Sequence, residues 1–107
     1  MKNIVYNKLI RDNIPQIIKK SGKECDIEIL TDNEYIKELD KKLEEEYIEY
    51  KESKNIEELA DIVEVIYAII ESRKITLKEF EKIRNEKNSK RGKFKQKLYL
   101  KKVTTNT

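Results

Sequence analysis

Residues 56–70 read IEELADIVEVIYAII, and this stretch decides the fold. Between Leu59 and Ile70 it contains ten apolar residues and only two charged ones, Asp61 and Glu64. Its β-branched content would permit a strand, but a run of more than fifteen residues without a breaker favours a helix. A helix that is apolar nearly all round is typical of the centre of a bundle or of a subunit interface.

The residues before this stretch predict a long helix from Thr31 to about Ser53. Thr31 and Glu34 have the form of a capping box, in which each side chain satisfies a backbone N–H group of the other residue. The apolar seam of this helix consists of Ile36, Leu39, Leu43 and Tyr50. Glu46 occupies the seam position before Tyr50, so a carboxylate falls where a core residue belongs.

Three further helices are indicated by residues that favour helix ends. Pro15 suits the first turn of a short helix that runs to about Lys20. Asn55 can cap the apolar helix, which we expect to run to about residue 73. A last helix is predicted from Thr76 toward Lys90, because Thr76 and Glu79 repeat the capping-box pattern and Gly92 is a natural stop.

Short extended segments are expected near both ends of the chain. Residues 25–30 alternate weakly as a strand or an extended connection, and residues 94–101 alternate as a short strand. Residues 103–107 are predicted to be a disordered tail. We therefore predict an all-α helical bundle that forms one domain over residues 1–102.

The composition excludes several kinds of site. Histidine is absent, which removes Ser/His/Asp and Cys/His nucleophile arrangements and histidine zinc sites. The single cysteine, Cys25, has no partner for an internal disulfide, which fits a reducing cytoplasm. The longest apolar stretch is interrupted by Asp61 and Glu64, so no membrane span or membrane partner is expected.

The distribution of charge along the chain indicates which ligands it could bind. The net charge of +3 hides a balance of −7 between residues 34 and 64 and +8 between residues 84 and 102. Such segregation suits a site for a cation and a phosphate, although charges that merely solvate helices and tails are the alternative.

With 37% hydrophobic residues, 42% charged residues and no tryptophan, the chain has few residues from which to build a hydrophobic core. Self-association into a homodimer or higher homo-oligomer is therefore expected.

Two acidic pairs at helical spacing are the candidate site. Glu46 and Glu49 form one pair, and Glu58 and Asp61 form the other. If the two helices pack antiparallel through a turn near Lys54, the pairs can meet. Chance alone would give about four acidic pairs at this spacing, so their number carries no weight. Their location carries the weight, because the pairs lie on two consecutive helices and several members fall on apolar faces. Two alternatives remain: a metal site, or buried salt bridges with Lys or Arg.

An oxygen-only cluster selects hard cations, with Mg²⁺ the first choice and Mn²⁺ the second. Magnesium held by carboxylates near Lys and Arg suits phosphoryl or pyrophosphoryl chemistry, in which a spare carboxylate accepts a proton from the attacking water. Glu45 and Glu64 are candidates for that role. Either residue could equally be an ordinary surface or capping charge.

These motifs resemble those of a known family. EEYIE at residues 45–49 and ELAD at residues 58–61 resemble the EExxE and ExxD motifs of the MazG-like, all-α nucleoside triphosphate pyrophosphohydrolases. YNKLIRDNIP at residues 6–15 and KRGKF at residues 90–94 are similar to the opening and closing signatures of the phosphoribosyl-ATP pyrophosphohydrolase-like branch. Together, and in this order, the motifs span most of the chain.

The resemblance implies an oligomeric helical bundle that binds Mg²⁺ and hydrolyses a nucleotide between its α- and β-phosphates. It implies Glu46, Glu49, Glu58 and Asp61 as metal ligands and Glu45 as an outer residue or an aid to the water. The candidate phosphate contacts are Lys8, Arg11, Lys90 and Arg91. For Arg11, an ion pair with Asp12 or with a helix carboxylate is an equal alternative.

Two positions depart from the family pattern. Only eight residues separate Glu49 from Glu58, which implies a tight helix hairpin. Lys93 stands where this branch commonly has a second glycine, and its side chain disfavours close backbone approach to a ligand.

Two other functions compete with this one. The chain could hydrolyse phosphoribosyl-ATP in histidine synthesis. It could also be a non-catalytic helical oligomer whose basic C-terminal segment binds nucleic acid or a protein. Because no recognisable DNA-binding motif is present, nucleic acid is not the expected partner.

Overall fold

The structure is a computed structural model that describes residues 2–105. Every regular element in these residues is an α-helix, which confirms the predicted all-α class. The helices are α1 (Ile14–Lys20), α2 (Asp32–Ser53), α3 (Ile56–Ser72) and α4 (Leu77–Arg91). The chain divides into two compact units, one ending at Ile75 and one beginning at Thr76, and each is described by itself. A single domain over residues 1–102 stays a prediction.

Helix α2 begins at the predicted capping box. Glu34 N donates a hydrogen bond to Thr31 Oγ1 at 3.3 Å, and Thr31 N donates one to Glu34 Oε1 at 3.1 Å. The reciprocal pair satisfies two backbone N–H groups that the first turn of a helix leaves open. The bonds that Thr31 N and Thr31 Oγ1 donate to Glu34 Oε1 lower the pKa of Glu34, because they favour its ionised form.

A two-residue connection joins α2 to α3. Lys54 adopts a left-handed conformation with φ of 59°, and its N–H group donates to Tyr50 O at 2.8 Å. This C-cap reverses the chain within residues 54–55, so α2 and α3 form an antiparallel hairpin. The tight hairpin predicted from the short Glu49–Glu58 spacing is therefore present. Asn55 precedes α3 as predicted but makes no side-chain capping bond.

The core of the first unit is small and lies in the seam between α2 and α3. Its buried apolar residues are Leu39, Val65 and Ile70. Glu46 is also buried, as the seam pattern of α2 predicts. Leu43 and Tyr50 are half-buried, and Ile36 is exposed at the edge of the seam. A carboxylate therefore takes a central place in a core with few apolar members.

The outer helices have the predicted bounds within a residue or two. Pro15 lies in the first turn of α1, and Ser21 ends it. Thr76 Oγ1 accepts a hydrogen bond from Glu79 N at 3.1 Å at the start of α4. Gly92, with φ of 81°, follows the last residue of α4. Glycine suits this stop because a side chain there would be strained.

The expected strand over residues 94–101 is wrong. The chain turns at residues 94–96, and Lys97 has a positive φ of 60°, which interrupts an extended run. Residues 25–30 form a non-helical connection, and the described residues contain no strand with which either segment could pair. A lone strand leaves its backbone groups without partners, so alternation of side chains was insufficient. Of the predicted tail, Asn106 and Thr107 lie outside the described residues.

No helix in the described chain combines the length and the apolar character needed to cross a membrane.

The capping box at Thr31 can be tested by substitution. We expect Thr31→Ala to lower the free energy of unfolding by about 1 kcal/mol, because the first turn of α2 loses its acceptor. Thr31→Ser keeps the hydroxyl group and should stay within about 0.5 kcal/mol of the original protein. Urea unfolding followed by circular dichroism measures both, and equal effects would contradict a capping role.

Candidate metal centre

Carboxylates of α2 and α3 meet near the hairpin connection. One oxygen from each of Glu45, Glu46 and Glu49 lies within 4.8 Å of the others, and the same holds for Glu46, Glu58 and Asp61. Glu46 belongs to both groups and therefore links the acidic pair of α2 to that of α3. Of the four carboxylates predicted as ligands, the hairpin brings Glu46, Glu58 and Asp61 together, and Glu49 lies beside Glu46 with Glu45.

Glu46 is the buried member of this cluster. It is 7% exposed, and within the described chain its Oε2 atom has no hydrogen-bond partner. Burial raises the pKa of Glu46, and a hydrogen bond with Glu49 and the negative charge of Glu49 raise it further. The positive charge of Lys42 opposes this shift. A buried carboxylate oxygen without a donor costs free energy unless a cation or a proton joins it.

The N-terminal segment brings two cations to the cluster. Lys8 Nζ lies 3.1 Å from Glu45 Oε1, and Arg11 Nη2 lies 2.6 Å from Asp61 Oδ1. The hydrogen bond to Glu45 and its negative charge raise the pKa of Lys8. Both predicted phosphate contacts from this segment therefore lie beside the carboxylates. For Arg11 the structure bears out the alternative of an ion pair with a helix carboxylate.

Lys42 is a site residue that the sequence reasoning missed. Its Nζ atom lies 3.4 Å from Glu45 Oε1 and 3.4 Å from Glu46 Oε1. A residue three or four positions before an acidic residue on a helix shares its face, so the spacing to Glu45 and Glu46 was the available signal. Burial by itself would raise the pKa of Glu45, but Lys8 and Lys42 together outweigh it and lower the pKa.

The cluster keeps a net negative charge after these contacts. Its five carboxylates meet three cations, so two negative charges remain if all five are ionised. Within the described residues, neither Glu49 nor Glu58 forms an ion pair with a basic side chain. All of the donor atoms are carboxylate oxygens, the ligands that Mg²⁺ and Mn²⁺ prefer. The residues present therefore fit a divalent cation.

Both alternatives drawn from the sequence have a structural counterpart. Salt bridges with Lys and Arg are present at the cluster, as one alternative required. The pairs of Lys8 and Arg11 are partly exposed to solvent, where such pairs contribute little stability. They also leave Glu46 Oε2 without a partner in the described chain. The salt bridges therefore leave this buried oxygen to be satisfied by a cation or by a proton.

Four other residues were singled out from the sequence: Glu64, Lys90, Arg91 and Lys93. Glu64 is exposed on α3 and belongs to neither group. Lys90 and Arg91 are the last two residues of α4, in the unit that begins at Thr76. Lys93 follows α4 and is exposed. Phosphate binding by Lys90 and Arg91 stays a prediction.

Comparison of the chain with family models, curated proteins and solved structures finds no match.

The raised pKa of Glu46 predicts that its negative charge destabilises the folded protein when no cation is bound. A group with a raised pKa in the folded state stabilises the fold when protonated and loses that contribution as the pH rises through the folded pKa. We therefore expect Glu46→Gln to raise the free energy of unfolding at neutral pH by about 1 kcal/mol in the presence of a chelator. The gain should vanish below the ordinary pKa of glutamate.

Glu44→Gln is the matched control, because Glu44 is an exposed neighbour on the same helix. We expect it to change the free energy of unfolding by less than about 0.5 kcal/mol at any pH. Chemical unfolding across a pH series measures both variants. A Glu46→Gln protein that is less stable than the original at neutral pH would contradict the unpaired, buried carboxylate.

Proposed function

We propose that this protein is a Mg²⁺-dependent nucleotide pyrophosphohydrolase, which hydrolyses a nucleotide between its α- and β-phosphates to a monophosphate and pyrophosphate. The observation that carries the proposal is Glu46, buried and without a donor at Oε2, where carboxylates of two helices meet. The sequence supports the proposal through an ordered set of motifs that resemble those of the MazG-like family. A cytoplasmic location, with nucleotides at hand, is part of the proposal.

The cation would be held by Glu46, Glu49, Glu58 and Asp61. When bound, Mg²⁺ neutralises charge on phosphate oxygens and makes a water molecule more acidic. Glu46 ties the two helices together at this point because its carboxylate belongs to both groups. Mn²⁺, which prefers the same oxygen ligands, is the expected substitute.

Glu45 is the proposed acceptor of the proton from the attacking water. Lys8 and Lys42 lower its pKa, so Glu45 is ionised at neutral pH but is a weak base while both contacts last. The Lys8 side chain is 41% exposed and can leave Glu45 for a phosphate group. Loss of that contact raises the pKa of Glu45 and strengthens it as a base when substrate is bound.

Lys8 and Arg11 are the proposed phosphate contacts from the N-terminal segment. Each already lies against a carboxylate of the cluster, so each would be available to a phosphate group bound there. Arg11 offers a planar guanidinium group that suits paired phosphate oxygens, whereas Lys8 offers a single mobile charge. Lys90 and Arg91 are further candidates from the basic end of α4.

A panel of nucleoside triphosphates tests the proposal. We expect release of a monophosphate and pyrophosphate with Mg²⁺ or Mn²⁺, and no diphosphate, measured by chromatography of the products. Including phosphoribosyl-ATP separates the two hydrolase alternatives by substrate. Absence of turnover on every nucleotide with either cation would overturn the proposal.

Variants locate the reaction at the cluster. Glu46→Gln and Asp61→Asn should each lower kcat/KM by about 100-fold or more, because even residues outside the ligand set commonly cost 10- to 100-fold in affinity or activity. Glu44→Gln should keep full activity, and circular dichroism confirms that each variant is folded. If Glu44→Gln and Glu46→Gln lost activity equally, the cluster would not be the site.

The basic C-terminal segment supports a second function of another class, binding of single-stranded nucleic acid. Phe94 is 99% exposed and Tyr99 is 88% exposed. Lysines at positions 93, 95, 97, 101 and 102 flank these two rings in the sequence. Exposed aromatic rings among lysines can stack on bases while the charges contact the phosphate backbone.

This second function has its own test. Fluorescence anisotropy with a labelled single-stranded oligonucleotide should show binding that weakens as salt is added. Phe94→Ala or Tyr99→Ala should weaken it about 10-fold, because each stacked base contributes about 1–3 kcal/mol. Leu100→Ala removes an exposed apolar side chain without a ring and should leave binding unchanged. Equal losses in all three variants, or no binding at low salt, would exclude the stacking function.

A further inference from the structure

Tyr6 places an exposed aromatic ring beside the carboxylate cluster. The residue belongs to the N-terminal segment and is 67% exposed. Lys8 Nζ lies 5.8 Å from the centre of the ring, which is within the range of a cation–π contact. The same Nζ atom lies 3.1 Å from Glu45 Oε1. A single ammonium group therefore links the ring to the cluster.

The N-terminal segment is held against the cluster at two points. Lys8 and Arg11 each pair with a carboxylate of the cluster. Asn7, between Tyr6 and Lys8, has a positive φ of 48°. Asparagine adopts this left-handed conformation at a lower cost than most residues do. The two ion pairs and this turn of the backbone hold the ring near the carboxylates.

A second tyrosine shows the same local contact without the link to the cluster. Tyr47 is 53% exposed, and Lys51 Nζ lies 5.7 Å from the centre of its ring. Among the described residues, Lys51 forms no ion pair with a carboxylate of the cluster. The connection through Lys8 to Glu45 is therefore the feature that distinguishes Tyr6.

A ring and a cation side by side match the two parts of a nucleotide. The ammonium group attracts phosphate oxygens, and an exposed tyrosine offers an aromatic face on which a nucleobase can stack. The apolar side chains that are buried in the described chain belong to α2 and α3, so the ring of Tyr6 is not part of the core. Its exposed surface is available to a ligand.

We propose that Tyr6 is the platform on which the nucleobase of a bound nucleotide stacks. This inference rests on the proposed hydrolase function, because the phosphates of that nucleotide would lie at the cluster and beside Lys8. Stacking recognises the face of a nucleobase and not its edge, so nucleotides with any of the common nucleobases belong to the substrate class. Purine nucleotides should bind more tightly than pyrimidine nucleotides, because a purine offers the larger face.

Two ligands that resist hydrolysis separate the nucleobase from the phosphates. One is the α,β-methylene analogue of adenosine triphosphate, and the other is methylene diphosphonate, which has no nucleobase. Isothermal titration calorimetry in the presence of Mg²⁺ measures the dissociation constant of each ligand. We expect Tyr6→Ala to weaken binding of the nucleotide analogue about 10-fold and to leave binding of methylene diphosphonate unchanged.

Two further variants serve as controls. Tyr6→Phe keeps the ring and should bind both ligands as the original protein does. Tyr47→Ala removes an exposed ring that also lies under a lysine, and it should leave both dissociation constants unchanged. If Tyr6→Ala weakened binding of both ligands equally, the residue would only support the N-terminal segment, and the stacking platform would be overturned.

The outcomes also distinguish this inference from the proposed function. In nucleotide hydrolysis, Tyr6→Ala should raise KM about 10-fold without changing kcat, because stacking contributes equally to the ground state and the transition state. If the original protein hydrolyses nucleotides and Tyr6→Ala leaves KM and the dissociation constants unchanged, the platform alone is wrong. If the original protein binds neither ligand and hydrolyses no nucleotide, both proposals are overturned.

Discussion

The buried carboxylate of Glu46 is the constraint on which the rest of the structure depends. A seam position of α2 that would ordinarily hold an apolar residue holds an acid, and its Oε2 atom lacks a partner in the described chain. Unpaired buried charge is costly, so the surroundings must offset it. Lys42 on the same helix does so in part. A proton or the cation proposed for this cluster would offset the remaining cost.

The short α2–α3 hairpin and the N-terminal segment both bring charged side chains to the cluster that contains Glu46. The left-handed conformation of Lys54 turns the chain within two residues, so carboxylates on either side of the turn lie near one another. Lys8 and Arg11 then bring positive charge from far away in sequence to Glu45 and Asp61. A negative cluster with partly exposed cations beside it suits a ligand that carries both a divalent cation and phosphates.

Much of the helical structure was predictable because its signals are local. Capping residues placed the ends of α2 and α4, and the interrupted apolar seam indicated that Glu46 is buried. The strand expected over residues 94–101 failed because a strand needs a partner that alternation cannot supply. The role of Lys42 was not predicted, because the acidic pairs alone do not indicate a base on the same helix face.

The sequence by itself determined which residues are helical and which carboxylates share a helix face, because both depend on neighbours within four positions. Tertiary structure alone decided that Glu46 meets Glu58 and Asp61, that Arg11 pairs with Asp61, and that one face of α3 remains exposed. Those outcomes depend on where the chain turns and on which surfaces then compete for burial. A helix that is apolar nearly all round can bury either of its faces, and tertiary packing decides which face is buried.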